Sequence, residues 1–481
     1  MIEAGFWAQR RRLNREVLIP DGYAKLQQAG NFDNLRAAAH GGEYRGRIYQ
    51  DSDLFKWLEA VGWELREAPS PRLQRMADEA VALIEAAQAP DGYLDTPFQV
   101  QGLQRWRNLA DEHEIYCMGH LIEAGLAHEP LLRVARRVAD LLVREDPGYC
   151  GHPEAELALV ALYRRTGERS YLDLARRMID RRGHGGSAYL VDRVPVREQT
   201  QVEGHAVRQL YLNCGATDVY LETGEETLLQ AMRVQWEDLQ TKRYVTGGVG
   251  SVPAQEAFGA PFELPNDTAY AETCAAIASV MWNARMLEAT GEVRYADELE
   301  RALYNAVLVG VARDEPLYAY ANPLEAGAGE RRQPWFECAC CPPNIMRTLA
   351  SLERYLVSGD RLHQYATGTY GDVHVRTDYP WDGRIEIEGE AELRVPAWCT
   401  GARLNGEPVA PGWVRGEGVL ELDMPWRVIE PDPRVAAAQG RIGLARGPLV
   451  YCLDGDELVP YAFNSGRRPL RVWIPAAAGA A

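Results

Sequence analysis

The sequence predicts a mainly α fold: a closed (α/α)6 barrel over residues 1–357, followed by a small antiparallel β-sandwich over 358–481. Three observations carry this reading. Up to about residue 355 the apolar positions recur with a helical period. The tripeptide Thr-Gly-Glu punctuates helical runs at 166–168, 223–225 and 290–292. Beyond residue 358 the pattern changes to period two, broken every few residues by Pro or Gly.

Taken in order, apolar helical runs at 53–66 and 71–88 flank Ala68-Pro69-Ser70, and runs at 112–127 and 130–143 flank His128-Glu129. The three Thr-Gly-Glu units separate 157–163 from 171–179, 210–221 from 228–236, and 277–287 from 295–309. A Gly just past a helix suits the left-handed C′ position, and so short a connection makes the neighbouring helices antiparallel. Gly167, Gly224 and Gly291 are spaced by 57 and 67 residues, which fits a helical hairpin plus its return loop. The segment 343–356, with the N-terminal 6–29, supplies a sixth pair. Self-similarity at this period means repeated α-hairpins. Loops of unequal length favour a closed ring over an open array that binds a protein. In the C-terminal part, 385–388, 392–395 and 419–423 alternate, and Leu404-Asn405-Gly406 is a hairpin signal. Residues 476–481 read as a frayed tail.

Composition narrows the function. The chain has 481 residues, with 52 Lys and Arg against 69 Asp and Glu for a net charge of −17. Such a surface repels a polyphosphate backbone, so no nucleic-acid partner is expected. No apolar run approaches the ~20 residues that cross a bilayer. The first ten residues lack a basic stretch followed by an apolar one, so a cytoplasmic protein is expected. Nine cysteines do not make a disulfide scaffold. Cys117, Cys150, Cys214, Cys399 and Cys452 are scattered and read as small core residues. Cys338, Cys340 and Cys341 crowd together and need another account.

That account begins with Glu272-Thr273-Cys274 and Cys340-Cys341-Pro342-Pro343-Asn344. Thiolates and a carboxylate are ordinary Zn²⁺ ligands, and four complete a tetrahedron. Residues two apart on a helix diverge by about 200°, so Glu272 and Cys274 share a metal only if their tripeptide is not helical. A turn ahead of a helix from Ala275 meets that condition. The two prolines are expected to leave Cys340 and Cys341 on an extended loop. The rival readings are buried thiols or a structural zinc knot, although a knot usually takes paired C-x₂₋₄-C ligands.

Glu256 follows the Gly-rich loop 246–251 and stands between Ala254 and Phe258, where desolvation would raise its pKa toward general-acid use. Its rival reading is a solvated surface charge. His113, His152 and His205 each sit at a loop-to-helix junction of successive hairpins, and closing the ring would bring them to one rim. Singly, each is equally read as a helix-end histidine.

With Gly-His-Pro-Glu, Gly-His-Ala-Val-Arg, Thr-Gly-Gly-Val-Gly-Ser, Glu-Ala-Phe-Gly, Glu-Thr-Cys-Ala, Tyr-Ala-Asn-Pro-Leu and Cys-Cys-Pro-Pro-Asn in this order, the chain resembles glycoside hydrolase family 127, the β-L-arabinofuranosidase-like enzymes. The resemblance implies an (α/α)6 barrel with β-sandwich modules and a retaining exo-glycosidase that uses a cysteine nucleophile and zinc. By motif position Cys340 would be the nucleophile and Glu256 the general acid/base. Glu272, Cys274, Cys340 and Cys341 would hold Zn²⁺, and His113, His152, His205 and Tyr320 the sugar hydroxyls. The partner expected is an arabinofuranoside carbohydrate, with a homodimer as the candidate assembly. The family's asparagine before Asp51-Ser52-Asp53 is Gln50 here, and the C-terminal region is shorter than two full modules. Two alternatives remain: hydrolysis of a related furanoside by zinc-activated water, and a non-catalytic carbohydrate-binding α/α protein.

Overall fold

The computed structural model describes residues 1–476. Of the expected frayed tail only Ala476 falls within them, its N–H donating to the Gly440 carbonyl at 3.0 Å. The rest of that tail lies outside the described residues. The chain forms two compact units, Asn14–Leu239 with Pro334–Ala350, and Met1–Leu13 with Gln240–Gln333 and the residues from Ser351 onward. The fold class is the one expected: mainly helical, with the hairpins of an (α/α)6 barrel and a C-terminal β-sandwich region.

Within the first unit the hairpins are Asp51–Glu67 with Pro71–Ala87, Glu114–Ala127 with Leu132–Glu145, and Ala155–Thr166 with Arg169–Asp180. Ser70 caps the second of these helices, its side chain accepting from the Leu73 N–H at 3.3 Å, with Pro71 behind it. The two members of a hairpin differ in kind. Glu114–Ala127 is buried on nearly every side, whereas Leu132–Glu145 buries Val134, Ala135, Val138, Leu141 and Leu142 and turns its arginines outward. Ala155–Thr166 and Arg169–Asp180 repeat the contrast. Helices apolar all round belong to an inner layer and amphipathic ones to an outer layer. Gly119 lets two inner helices meet: a Cβ there would stand 2.7 Å from Glu154 Cγ and 2.8 Å from the Ala155 nitrogen. Two helices that the sequence pattern did not signal, Asn31–His40 and Thr96–Gln101, fill the connections.

In the second unit Thr273–Thr290 is the buried member of a pair and Val293–Arg301 the amphipathic one. Each Thr-Gly-Glu glycine is left-handed as expected: φ is 75° at Gly167, 67° at Gly224 and 71° at Gly291. One sheet centres on Arg384–Val395, paired antiparallel with Gly412–Glu421. Its hairpin from Ala402–Leu404 to Glu407–Val409 turns at Asn405 and Gly406, both with positive φ, the type I′ geometry that Asn-Gly favours. A second sheet runs from Trp426–Ile429 through Arg441–Arg446 and Leu449–Asp454, and takes in Glu325–Ala326 from the helical part of the sequence. Cys452 packs in this sheet's core with Val450, Val472, Leu324 and Tyr244. Cys117, Cys150, Cys214 and Cys399 are likewise buried. Arg394, fully buried on the first sheet, pairs with Asp297 and Glu300 of the amphipathic helix.

The cysteine turn corrects one expectation. Cys341 is not on an extended loop but opens the helix Cys341–Ala350, and the Asn344 N–H reaches the Cys340 carbonyl at 3.3 Å. Pro342 and Pro343 occupy the first turn, where a missing N–H costs nothing because no intrahelical acceptor faces it. The other ligand helix also begins earlier than expected, at Thr273, with Glu272 as its N-cap in extended geometry.

Candidate active site

The three histidines converge. Their ring centroids stand 5.8 Å apart for His113 and His152, and 5.7 Å for His152 and His205. His113 is the residue before Glu114–Ala127 and takes a left-handed φ of 58°. His205 is the N-cap of Ala206–Thr223. Tyr116 packs 4.2 Å from His152, Tyr49 5.1 Å from His113, and Tyr189 5.7 Å from His205. Arg208 fixes this wall, donating to the Gly151 carbonyl at 3.1 Å and to the Tyr189 hydroxyl at 3.3 Å. It stands in the Gly-His-Ala-Val-Arg motif, which could have flagged it.

The partners of each ring set its tautomer. Nδ1 of His113 lies 2.6 Å from the Asp111 carbonyl and Nδ1 of His152 3.2 Å from the Pro153 carbonyl, so both carry their proton there and leave Nε2 as an acceptor. His205 Nδ1 instead accepts from the Arg208 N–H at 3.4 Å, which leaves Nε2–H to donate. Burial, reinforced by the nearby Arg208 charge, lowers His113 to about 4 and holds His152 well below the ordinary histidine range. Two acceptors and one donor suit hydroxyl groups, and His113 and His152 are neutral at physiological pH.

Glu256 sits on a tight loop closed by reciprocal backbone bonds between Val252 and Ala257, both 3.0 Å. Gln255 and Glu256 both have positive φ, 69° and 53°. Two successive non-glycine residues in that region are costly and point to a constrained functional loop. Ala254 beside it is exposed, Phe258 is buried and Glu256 itself is half-buried. The Tyr270 hydroxyl donates to Glu256 Oε1 at 2.7 Å, a contact that sequence reasoning missed. The only hint was the short run Tyr270-Ala271-Glu272. Tyr320 packs against Tyr270 at 6.0 Å, and its carbonyl accepts from the Thr273 N–H at 3.0 Å. Asn322, of the Asn-Pro motif, ties the same stretch by donating to the Ala271 carbonyl at 2.9 Å and to Thr273 Oγ1 at 3.0 Å. Gln50, at the departure from the family pattern, is a tether: its Nε2 donates to the Ala29 carbonyl at 2.8 Å.

The candidate metal ligands stand at two helix starts: Glu272 and Cys274 at that of Thr273–Thr290, Cys340 and Cys341 at that of Cys341–Ala350. Cys340 Sγ and Cys341 Sγ are 3.7 Å apart. Ligands about 2.3 Å from a tetrahedral zinc stand roughly 3.8 Å from each other, so the thiol pair fits one ion. His120, Glu123 and Glu154 offer ligand atoms within 4.8 Å of one another, but there Arg347 already pairs with Glu123. A guanidinium meets that cluster's charge.

Residues 1–354 match the glycoside hydrolase family 127 catalytic domain, described as a β-L-arabinofuranosidase domain, and residues 426–458 match the family's C-terminal domain. A non-reducing end β-L-arabinofuranosidase of Bifidobacterium longum subsp. longum is 34% identical over 94% of this chain and 86% of its own length. A GH127 β-L-arabinofuranosidase from Geobacillus stearothermophilus T6 superposes with a TM-score of 0.92 at 34% identity, covering 99% of each chain. A GH127 β-arabinofuranosidase structure gives 0.91 at 30% identity, over 99% of this chain and 96% of that one. The fold and these relatives define a glycoside hydrolase. The chain belongs to glycoside hydrolase family 127. Its substrate class is therefore carbohydrate, and among the described residues no helix is long and apolar enough to cross a membrane.

Proposed function

We propose that the chain is a retaining exo-β-L-arabinofuranosidase with Cys340 as nucleophile and Glu256 as general acid/base. The observation that carries this reading is the Cys340 and Cys341 thiol pair, 3.7 Å apart at the head of one helix, a spacing that suits two ligands of one ion. Glu272, Cys274, Cys340 and Cys341 would hold a zinc ion, which when bound keeps its coordinating thiols deprotonated near neutral pH.

The chain's own groups then act in two displacements. The Cys340 thiolate attacks the anomeric carbon. The glycosidic C–O bond breaks toward the leaving oxygen, which takes a proton from Glu256. A thioglycosyl enzyme results. Glu256, now a carboxylate, takes a proton from water as that water attacks the same carbon, and the C–S bond breaks to return the thiolate. Tyr270 holds one carboxyl oxygen of Glu256, which orients the group for proton transfer. His113 and His152 accept from sugar hydroxyls while His205 donates, and Tyr320 holds a further sugar hydroxyl. The terminal sugar proposed, L-arabinofuranose, is the one in the names of the relatives. Nine cysteines without a disulfide framework suit a reducing, cytoplasmic setting.

The test is Cys340→Ser with a p-nitrophenyl β-L-arabinofuranoside, alongside mass spectrometry of wild-type protein trapped with a slow substrate. Abolished turnover with retained folding and a sugar adduct on Cys340 is the expected result. Near-wild-type hydrolysis by the serine variant overturns it.

A further inference from the structure

The Cys-Cys-Pro-Pro-Asn helix is steered from its second turn. Arg347 is 4% exposed, yet its guanidinium has a partner on every nitrogen. Nε donates to Asn344 Oδ1 at 2.6 Å and NH2 to the Tyr211 hydroxyl at 2.9 Å, while NH1 pairs with Glu59 at 2.9 Å and with Glu123. Asn344 Nδ2 also donates to the Tyr211 hydroxyl, at 3.3 Å, which closes a triangle of Arg347, Asn344 and Tyr211. Asn344 is the residue whose N–H closes the first turn onto the Cys340 carbonyl. Tyr211 in turn stands 5.9 Å from the His152 ring. One planar, always-charged group thus holds both the turn bearing the two cysteines and an aromatic flanking the histidines.

The carboxylates below explain why the group is an arginine. Glu59 and Glu123 are both at least nine-tenths buried, and Glu154, fully buried, lies beside Glu123. Burying such charge is expensive unless it is paired and hydrogen-bonded. The guanidinium supplies the countercharge and still has two nitrogens to spend upward on Asn344 and Tyr211. A lysine ammonium would supply the charge without that fork.

We propose that Arg347 is a positioning residue for the proposed reaction, setting the direction in which Cys340 and Cys341 leave the helix through its bond to Asn344. The inference rests on the cysteine-nucleophile reading for its catalytic meaning, but its geometry stands apart from it.

The experiment compares wild type, Arg347→Lys, Asn344→Ala and the double variant in three measurements: zinc affinity by chelator competition, the visible spectrum of the Co²⁺-substituted protein, and the alkylation rates of Cys340 and Cys341 in metal-free protein. Loss of a partner behind a ligand typically costs about 10–100-fold in metal affinity or activity. Arg347→Lys is expected to weaken zinc by about that factor, change the thiolate-to-cobalt bands and alter the alkylation ratio of the two cysteines. The double variant is expected to be no worse than Asn344→Ala, since the effect passes through Asn344. Unchanged zinc affinity, cobalt spectrum and alkylation ratio in Arg347→Lys overturn the proposal, whatever its thermal stability. Wild type that binds no zinc refutes the proposed function instead, and the alkylation ratio then decides the role of Arg347 alone.

Discussion

Replacing Tyr270 with Phe tests the assignment of Glu256 most directly. The substitution removes one hydroxyl that donates to Glu256 Oε1 at 2.7 Å and leaves the ring against Tyr320. Hydrogen bonds to charged groups are worth ~1.5–3 kcal/mol. Each 1.36 kcal/mol of barrier is a factor of ten in rate, so the rate falls by a factor of about ten to one hundred if the bond orients the carboxyl during proton transfer. Folding is little affected, because Tyr270 is only half-buried. The assay is kcat/KM on two β-L-arabinofuranosides with the same sugar, one releasing p-nitrophenol and the other a sugar alcohol. A good leaving group needs little protonation, so the loss is expected with the sugar alcohol and nearly absent with p-nitrophenol. An equal loss on both substrates would place Tyr270 in binding rather than in acid catalysis. No loss on either would remove Glu256 from the role given to it.

Other outcomes follow from the same geometry. Gly310→Ala places a Cβ 2.4 Å from Thr273 Cγ2, between the two ligands Glu272 and Cys274. Such overpacking is expected to cost ~1–3 kcal/mol in a denaturant titration and to lower bound zinc measured by elemental analysis. Chelation of the wild type is expected to reduce hydrolysis, and readdition of zinc to restore it; activity indifferent to both would contradict the metal assignment. His113 stays neutral down to about 4, so it is expected to add no limb near 6.5 to kcat/KM against pH; a limb there that His113→Asn abolishes would be contrary evidence. Asp53 is held at about 7 by burial, above its unfolded value, so it binds its proton more tightly when folded. Its contribution to stability is present at acid pH and is lost as pH rises through 7. Asp53→Asn is thus expected to raise the melting temperature relative to wild type more at pH 8 than at pH 5.

Much of the fold was legible because local physics set it. Thr-Gly-Glu marks helix ends since only glycine takes the left-handed C′ position freely, and all three glycines do so. Asn405-Gly406 makes its turn for the same reason. The helix at Cys341 was misread because the rule against helix before proline weakens at a first turn, where the proline lacks a bond it would not have made. Asn31–His40 and Thr96–Gln101 were missed because they are short connecting elements without a repeated signature.

The candidate site divides along the same line. Its chemistry, thiols with a carboxylate and three histidines at helix starts, was present in residue types and spacing. Its assembly was not. The partners that fix each histidine's tautomer, the hydroxyl of Tyr270 on Glu256 and the fork of Arg347 beneath Asn344 join residues far apart in sequence or within turns whose dihedrals no pattern encodes. Sequence alone determined which side chains could do the chemistry, because ligand type and helix punctuation are local properties. Only the tertiary structure decided which of them face one another, because hydrogen-bond direction and burial depend on packing between distant segments.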